Sequence, residues 1–415
     1  MKRKAVTVEV AESSIKLEVS LPSGRSETIS ALLFGTIADL NIAAQRIFGQ
    51  RFLRLAAPGG RLLYPTESLR LSGLQEGDSL TAVALQPKIA AAQGAFALWC
   101  GGGDRVVTWG HLDFGGDSSR VRDQLKNVGQ ICGTNYAFAA VLVDGSVVTW
   151  GHPDFGGDSS GVQDQLKNVQ QICNTDHAFA AILADGSVVT WGRPQEGGDS
   201  SGVQDQLKNV QQICNTDHAF AAILADGTVV TWGHRDYGGD SSGVQDQLRN
   251  VQQICGTDFA FAAVLVHGSV VTWGDPVTGG DSSSVQDQLK HIQRICGTWG
   301  AFAAILFDGS VVTWGHPGKG GDSSRVQDQL INVQQICGTH SAFAGILADG
   351  TVVTWGDPKR GGDSSRVQKE LRNVLKINAT DNAFAAILAD GSVVTWGDPL
   401  CGGDSSRVQD QFLYL

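Results

Sequence analysis

Hydrophobic and polar positions recur along most of the chain in one order. The run Phe179-Ala-Ala-Ile-Leu-Ala184 is apolar throughout, which predicts a short strand buried on both faces. Asp185-Gly186 follows and predicts a two-residue hairpin turn, because Gly adopts positive φ at little cost. Ser187-Val-Val-Thr-Trp191 then returns as a strand rich in β-branched residues. A third short strand ends at Cys173, before the apolar run. After Trp191, Gly197-Gly198 breaks the chain, and Ser201 with Gln204 predicts an S-x-x-Q capping box opening a helical turn through Leu207. The pair recurs in later units, at Ser406 and Gln409 for instance, whereas Arg122 replaces the Gln in the first full copy.

The whole pattern is periodic. Trp-Gly pairs begin at Trp109, Trp150, Trp191, Trp232, Trp273, Trp314, Trp355 and Trp396, at intervals of 41 residues. Eight such units fill residues 88–415 and leave 1–87 as a separate domain. A fixed period of this length means a solenoid or a propeller. Three short strands cannot bury both faces alone, so each unit must stack on its neighbours. The expected fold is mainly β: a β-propeller of eight blades whose first and last units meet. An open β-solenoid is the alternative.

The string Val-Gln-Gln-Ile-Cys-x-x-x-His-Ala-Phe-Ala-Ala-Ile-Leu-x-Asp-Gly-x-Val-x-x-Trp-Gly, at 169–192 and 210–233, resembles the regulator-of-chromosome-condensation repeat. That resemblance implies a propeller and covers about four-fifths of the chain. The family's usual ring has seven longer blades, and the loops behind its guanine-nucleotide-exchange activity have no residue-by-residue match here. In the first 87 residues, Ile15-Lys-Leu-Glu-Val-Ser-Leu-Pro-Ser-Gly reads as a strand and turn. Thr36 caps an amphipathic helix through Phe48, and Gly73-Leu-Gln-Glu-Gly-Asp-Ser-Leu-Thr-Ala-Val83 follows. This order resembles a small α+β ubiquitin-like β-grasp domain. The resemblance implies an apolar contact patch with Leu21 and Val83 as members and a third within Leu53–Ala56. With no terminal Gly-Gly, the domain reads as a fused recognition module.

Catalytic chemistry finds no constellation. Six cysteines (Cys132, Cys173, Cys214, Cys255, Cys296, Cys337) share one repeat position, and Asn378 takes it in another unit. Without C-x-x-C spacing they read as small structural thiols, which a ring would hold too far apart to bridge. Cys401 stands alone in a loop. The repeated Gly-Gly-Asp-Ser-Ser (Asp117, Asp158, Asp199, Asp240, Asp281, Asp322, Asp363, Asp404) reads as a tight turn rather than a cation ring. His111, His152, His234 and His316 share a slot with Arg193, Asp275, Asp357 and Asp398, and so read as solvent-facing. His177 and His218 occupy the repeat family's His place and read as loop caps. Gly101-Gly102-Gly103 lacks the Lys-Ser/Thr of a phosphate loop. No enzyme, cofactor or metal is expected.

The copies differ in two places: the loop after Trp-Gly and the pair before Ala-Phe. Strands that run up, down and up bring both loops to one face and the Asp-Gly turns to the other. A diversified face on a constant scaffold is a binding surface. Its expected contacts are exposed Tyr136, Phe155, His177, Arg193, His218, Tyr237, Phe259, Trp299, Lys319 and Arg360, including residue types that anchor interfaces.

Charge adds direction. The chain carries net −11, and residues 1–88 hold 11 Lys+Arg against 8 Asp+Glu, so +3 there leaves −14 on the repeats. An acidic surface excludes nucleic acid and anionic membrane as general partners and favours a protein partner with a basic surface. No apolar run reaches the ~20 residues of a membrane span. The basic start, Met1 to Lys4, lacks a following hydrophobic stretch, so a secretory signal is not expected and the cytoplasm or nucleus is. The expected function is a non-catalytic interaction scaffold with a ubiquitin-pathway connection. The alternatives are a HERC-type ubiquitin-ligase fragment lacking its catalytic domain and an exchange factor for a small GTPase.

Overall fold

The computed structural model describes residues 14–406 except 51–52, 66, 86 and 101–104. The readings at Met1 to Lys4, Gly101-Gly102-Gly103 and Gln409 lie outside the described residues.

Alternation of buried and exposed positions builds the first domain. β1 (Ser14–Ser20) pairs antiparallel with β2 (Ser26–Leu32), and its Ile15, Leu17 and Val19 point inward. Helix α1 (Ile37–Phe48) lays Ile37, Leu40, Ala44 and Phe48 on the same core. Thr36 caps it as expected, and a reciprocal box forms: Asp39 Oδ2 accepts the Thr36 N–H at 2.8 Å and Thr36 Oγ1 accepts that of Asp39 at 3.4 Å. β3 (Leu53–Ala56) and β4 (Ser79–Ala84) complete a sheet ordered β2-β1-β4-β3, in which β1 and β4 run parallel.

The repeats begin with β5 (Pro87–Ala91), β6 (Ala95–Cys100) and β7 (Val106–Gly110). Eight three-stranded antiparallel sheets follow one another, the mainly β architecture expected from the period. In the fourth unit, Val210–Asn215, Ala219–Leu224 and Val229–Gly233 run up, down and up, with Phe220 opposite Trp232. The middle strand is buried on both faces, as its apolar run requires. The Phe-Trp face of one unit packs on the Ala-rich face of the unit before it: Phe220, Ala222, Val230 and Trp232 meet Ala178, Ala180, Ile182 and Val188.

Polar bonds lock each junction. The indole N–H of Trp232 donates to Gly197 O at 3.1 Å, and the equivalent bond recurs from Trp150 to Gly115 and on to Trp396 and Gly361. Backbone bonds also cross the junctions, as from Asp176 N–H to Asp217 O at 3.0 Å and from Asp217 N–H to Asp258 O at 3.0 Å. Asp258, Trp299, His340 and Asp381, from four successive units, line one shared depression.

The expectation that the first and last units meet is not met. Phe96 and Trp109 of the first unit remain 41% and 43% exposed, whereas Phe138 and Trp150 one unit later are 0% and 4% exposed. Val107 and, at the other end, Ile387 are also exposed. Among the described residues, therefore, the two end faces do not cover each other.

Local predictions change in three places. The turn at Asp185-Gly186 is a three-residue loop, with only Gly186 at positive φ (+78°) and its N–H bonded to Leu183 O. Asp185 Oδ1 accepts from the Ser187 N–H and hydroxyl, which closes it. The Ser201–Gln204 box does not form, because Asp199 Oδ1 already accepts the Ser201 N–H. Instead the Ser200 hydroxyl donates to Gln204 Oε1 at 2.8 Å, and Gln204 Nε2 donates to Val188 O. The cysteines are free but not distant: the Cys132 thiol donates to Ile172 O of the next unit at 3.4 Å, because adjacent first strands nearly touch.

Candidate functional site

Threonine, which the sequence reading passed over, shapes the loop before Ala-Phe. Thr216 Oγ1 accepts the N–H groups of His218 (3.2 Å) and Ala219 (2.9 Å), then donates to Tyr237 O (3.1 Å). Thr134, Thr175, Thr257, Thr298, Thr339 and Thr380 repeat this arrangement in other units. Each hydroxyl thus caps its own loop and clamps it to the loop after Trp-Gly, so both variable segments do share one face. His177 and His218 are not the caps; threonine does that work and frees the imidazoles for the surface.

The slot two residues after Trp is also more than solvent. His152 and His316 accept through Nδ1 from the N–H of Asp154 and Gly318, and carboxylates of Asp275, Asp357 and Asp398 accept in the same way. It is the N-cap of a short 3-10 turn, which imidazole and carboxylate serve equally as acceptors.

On this face the predicted aromatic residues form one ladder, which Phe114 and His340, not among those predicted, extend at either end. Ring centroids step from Phe114 to Tyr136 (4.9 Å), then to His177 (5.8 Å), His218 (5.9 Å), Phe259 (5.4 Å), Trp299 (5.2 Å) and His340 (5.8 Å). Phe155 sits 4.5 Å from Tyr136, and Tyr237 sits 4.9 Å from Phe259. The rings were expected to be exposed; they are half-buried because each covers the edge of the next. Cations flank them. Lys319 Nζ lies 4.9 Å over the Trp299 ring and the Arg193 guanidinium lies 6.0 Å over Phe155, while burial, then Lys319 and Arg360, lower the pKa of His340.

Beside the ladder lies a column of carboxylates at equivalent positions. Desolvation, with repulsion from Asp258 and Asp176 next, holds the Asp217 carboxyl well above its ordinary range. Burial also raises Asp258, which hydrogen-bonds Asp217, and raises Asp176. A depression of about 320 Å³ opens among Asp258, Trp299, His340 and Asp381. Carboxylates at the edge of aromatic faces recognise guanidinium and ammonium groups.

Glu196 was visible only as one loop letter. It is 8% exposed, and its Oε2 lies 2.7 Å from His218 Nδ1. Its signal is positional: units that carry Phe, Tyr, Thr, Lys, Arg or Cys there differ from this one carboxylate. Burial lowers the pKa of His177.

The other candidates separate. The Gly-Gly-Asp-Ser-Ser carboxylates close turns, as Asp158 does by accepting the Ser160 N–H at 2.9 Å. Burial raises the column thiols, Cys173 to about 12 and Cys214 to about 11, which keeps them protonated. In the first domain Val83 is 37% exposed, but Leu21 packs against the core and all of Leu53–Ala56 is buried. The guanidinium of Arg54, paired with Val83, stacks on Tyr64 at 4.9 Å.

No helix among the described residues is long and apolar enough to cross a membrane. No family model matches the chain, and no curated protein matches it. Solved structures do. The ectodomain of the Physcomitrella patens receptor kinase CR4 is similar at 14% identity, over 63% of this chain and 70% of that one, with a TM-score of 0.39. Yeast RCC1 (Prp20), solved bound to Kap60, is 18% identical over 66% of this chain and 71% of that one, with a TM-score of 0.37. The first domain is similar to the ubiquitin-like domain of an Arabidopsis thaliana protein, at 17% identity over 20% of this chain and 92% of that one, with a TM-score of 0.17.

Proposed function

We propose that this chain is a non-catalytic interaction scaffold whose loop face holds a basic segment of a protein partner. One observation carries the reading: an unbroken ladder of rings from Phe114 to His340, bordered by Asp176, Asp217, Asp258 and Asp381. Arg and Lys side chains stack on such rings, and a bound cation draws the protons off the raised carboxyls so that they meet its charge. The depression among Asp258, Trp299, His340 and Asp381 suits one such side chain. In the same proposal, the first domain is a ubiquitin-like module that ties the scaffold to the ubiquitin pathway.

The test is a peptide array of basic, acidic and apolar segments probed with the full chain and with Trp299→Ala and Asp258→Asn. Basic peptides should bind, weaken as salt rises, and lose roughly tenfold or more in each variant. Equal binding of acidic and basic peptides would defeat the reading. Nucleotide release from a small GTPase on adding the chain would replace it with the exchange-factor alternative.

A further inference from the structure

We propose that His177, Glu196 and His218 form a binding site for a divalent transition-metal ion of the zinc class. The three residues each place one ligand atom within 4.8 Å of those of the other two. They come from two consecutive units: His177 and His218 stand at equivalent loop positions, and Glu196 reaches up from the loop after Trp191. The unit-to-unit backbone bond from Asp176 to Asp217 fixes the two imidazoles side by side, with ring centroids 5.9 Å apart.

Two features distinguish this cluster from an ordinary ion pair. His177 Nδ1 is buried and has no hydrogen-bond partner among the described residues, which is costly unless something else meets the lone pair or proton. Glu196 is buried too, and its Oε2 lies 2.7 Å from His218 Nδ1. An ion held by Glu196 and the two imidazoles would meet the His177 lone pair.

The donor set selects the ion. Two imidazoles and one carboxylate suit zinc and its neighbours, whereas calcium and magnesium prefer oxygen alone. Metal–ligand distances of about 2.0–2.2 Å place tetrahedral ligand atoms roughly 3.3 Å apart. The 2.7 Å His218–Glu196 pair must therefore open by about half an ångström, and the wider separations must close, within the reach of side-chain rotation. Three protein ligands leave a fourth position on the loop face. Arg193 is the opposing charge nearby; it stays exposed, with its guanidinium over Phe155.

The site does not rest on the partner reading and is tested without a peptide. The full chain, reduced, is titrated with zinc chloride by calorimetry, and with cobalt(II) for its visible absorption. Wild type should bind one equivalent at this site and give the intense bands of four-coordinate cobalt. His177→Ala and Glu196→Gln should each weaken binding roughly tenfold or more and remove those bands, while His316→Ala leaves both unchanged. Glu196→Gln keeps the shape of the side chain, so a loss there with an unchanged melting temperature separates ligation from folding. Equal zinc affinity and equal cobalt spectra in wild type and both variants would overturn the proposal, as would no binding by wild type.

Discussion

The indole N–H of Trp273 donates to the carbonyl oxygen of Gly238 at 3.0 Å, across the boundary between two units. Trp109, at the same position in the first unit, has no preceding unit and stays 43% exposed. One residue type thus does two different jobs according to its place in the stack. Trp273→Phe should cost about 1–3 kcal/mol by leaving the Gly238 carbonyl unmet, whereas Trp109→Phe should stay within about 0.5 kcal/mol. Urea denaturation of the two variants reads the difference. Equal losses would mean that the first unit is covered after all.

Gly197 lies at φ +99°, and a Cβ there would sit 2.5 Å from the Phe220 ring. Gly197→Ala should destabilise by roughly 2 kcal/mol or more, through backbone strain and overpacking together. Gly161, with open space around its position, should accept Ala with a change within about 1 kcal/mol. Chemical denaturation midpoints compare the pair.

How much of this was legible in the sequence depends on what each residue must meet. Trp-Gly spacing and apolar runs announce eight units and their strands, because burial follows periodicity. Thr36 announces its cap because its partner lies three residues away. Ser200 and Ser201 are adjacent hydroxyls, and only the backbone of the turn decides which one meets Gln204. Glu196 meets His218 across a unit boundary, a distance that no local pattern encodes. Ring closure was illegible for a similar reason: a period says that neighbours stack, but not that the last returns to the first.

The carboxylate column should make stability fall with pH. Asp217 has its pKa raised by burial and then by Asp258 and Asp176, and Asp258 by burial and then by Asp176 and Asp381, so the folded chain keeps protons that the unfolded chain releases. Their contribution is full below the ordinary Asp range, about 4, and is lost as pH rises through the raised values. Asp217→Asn should flatten the decline above pH 4. Urea midpoints across pH 4 to 9, as approximate bounds, check the slope in both proteins.

Thiol reactivity should divide the cysteines. Desolvation pushes Cys296 up to about 12, and it raises Cys255 further in the same direction. A thiol reagent near neutral pH should therefore modify loop residue Cys401 well before either, since the thiolate is the reacting form. Mass spectrometry of partly labelled native protein assigns the order. Column cysteines labelled first would contradict the packing of the inner strands.

The most direct measurement is hydrogen–deuterium exchange of the full chain with and without a Lys/Arg-rich peptide. Protection should appear in the loops that hold Asp217-His218, Asp258-Phe259 and Trp299, and the turns at Asp226-Gly227 and Asp308-Gly309 should be unchanged. Protection confined to those Asp-Gly turns, or none at saturating peptide, would contradict a binding face built from rings and carboxylates.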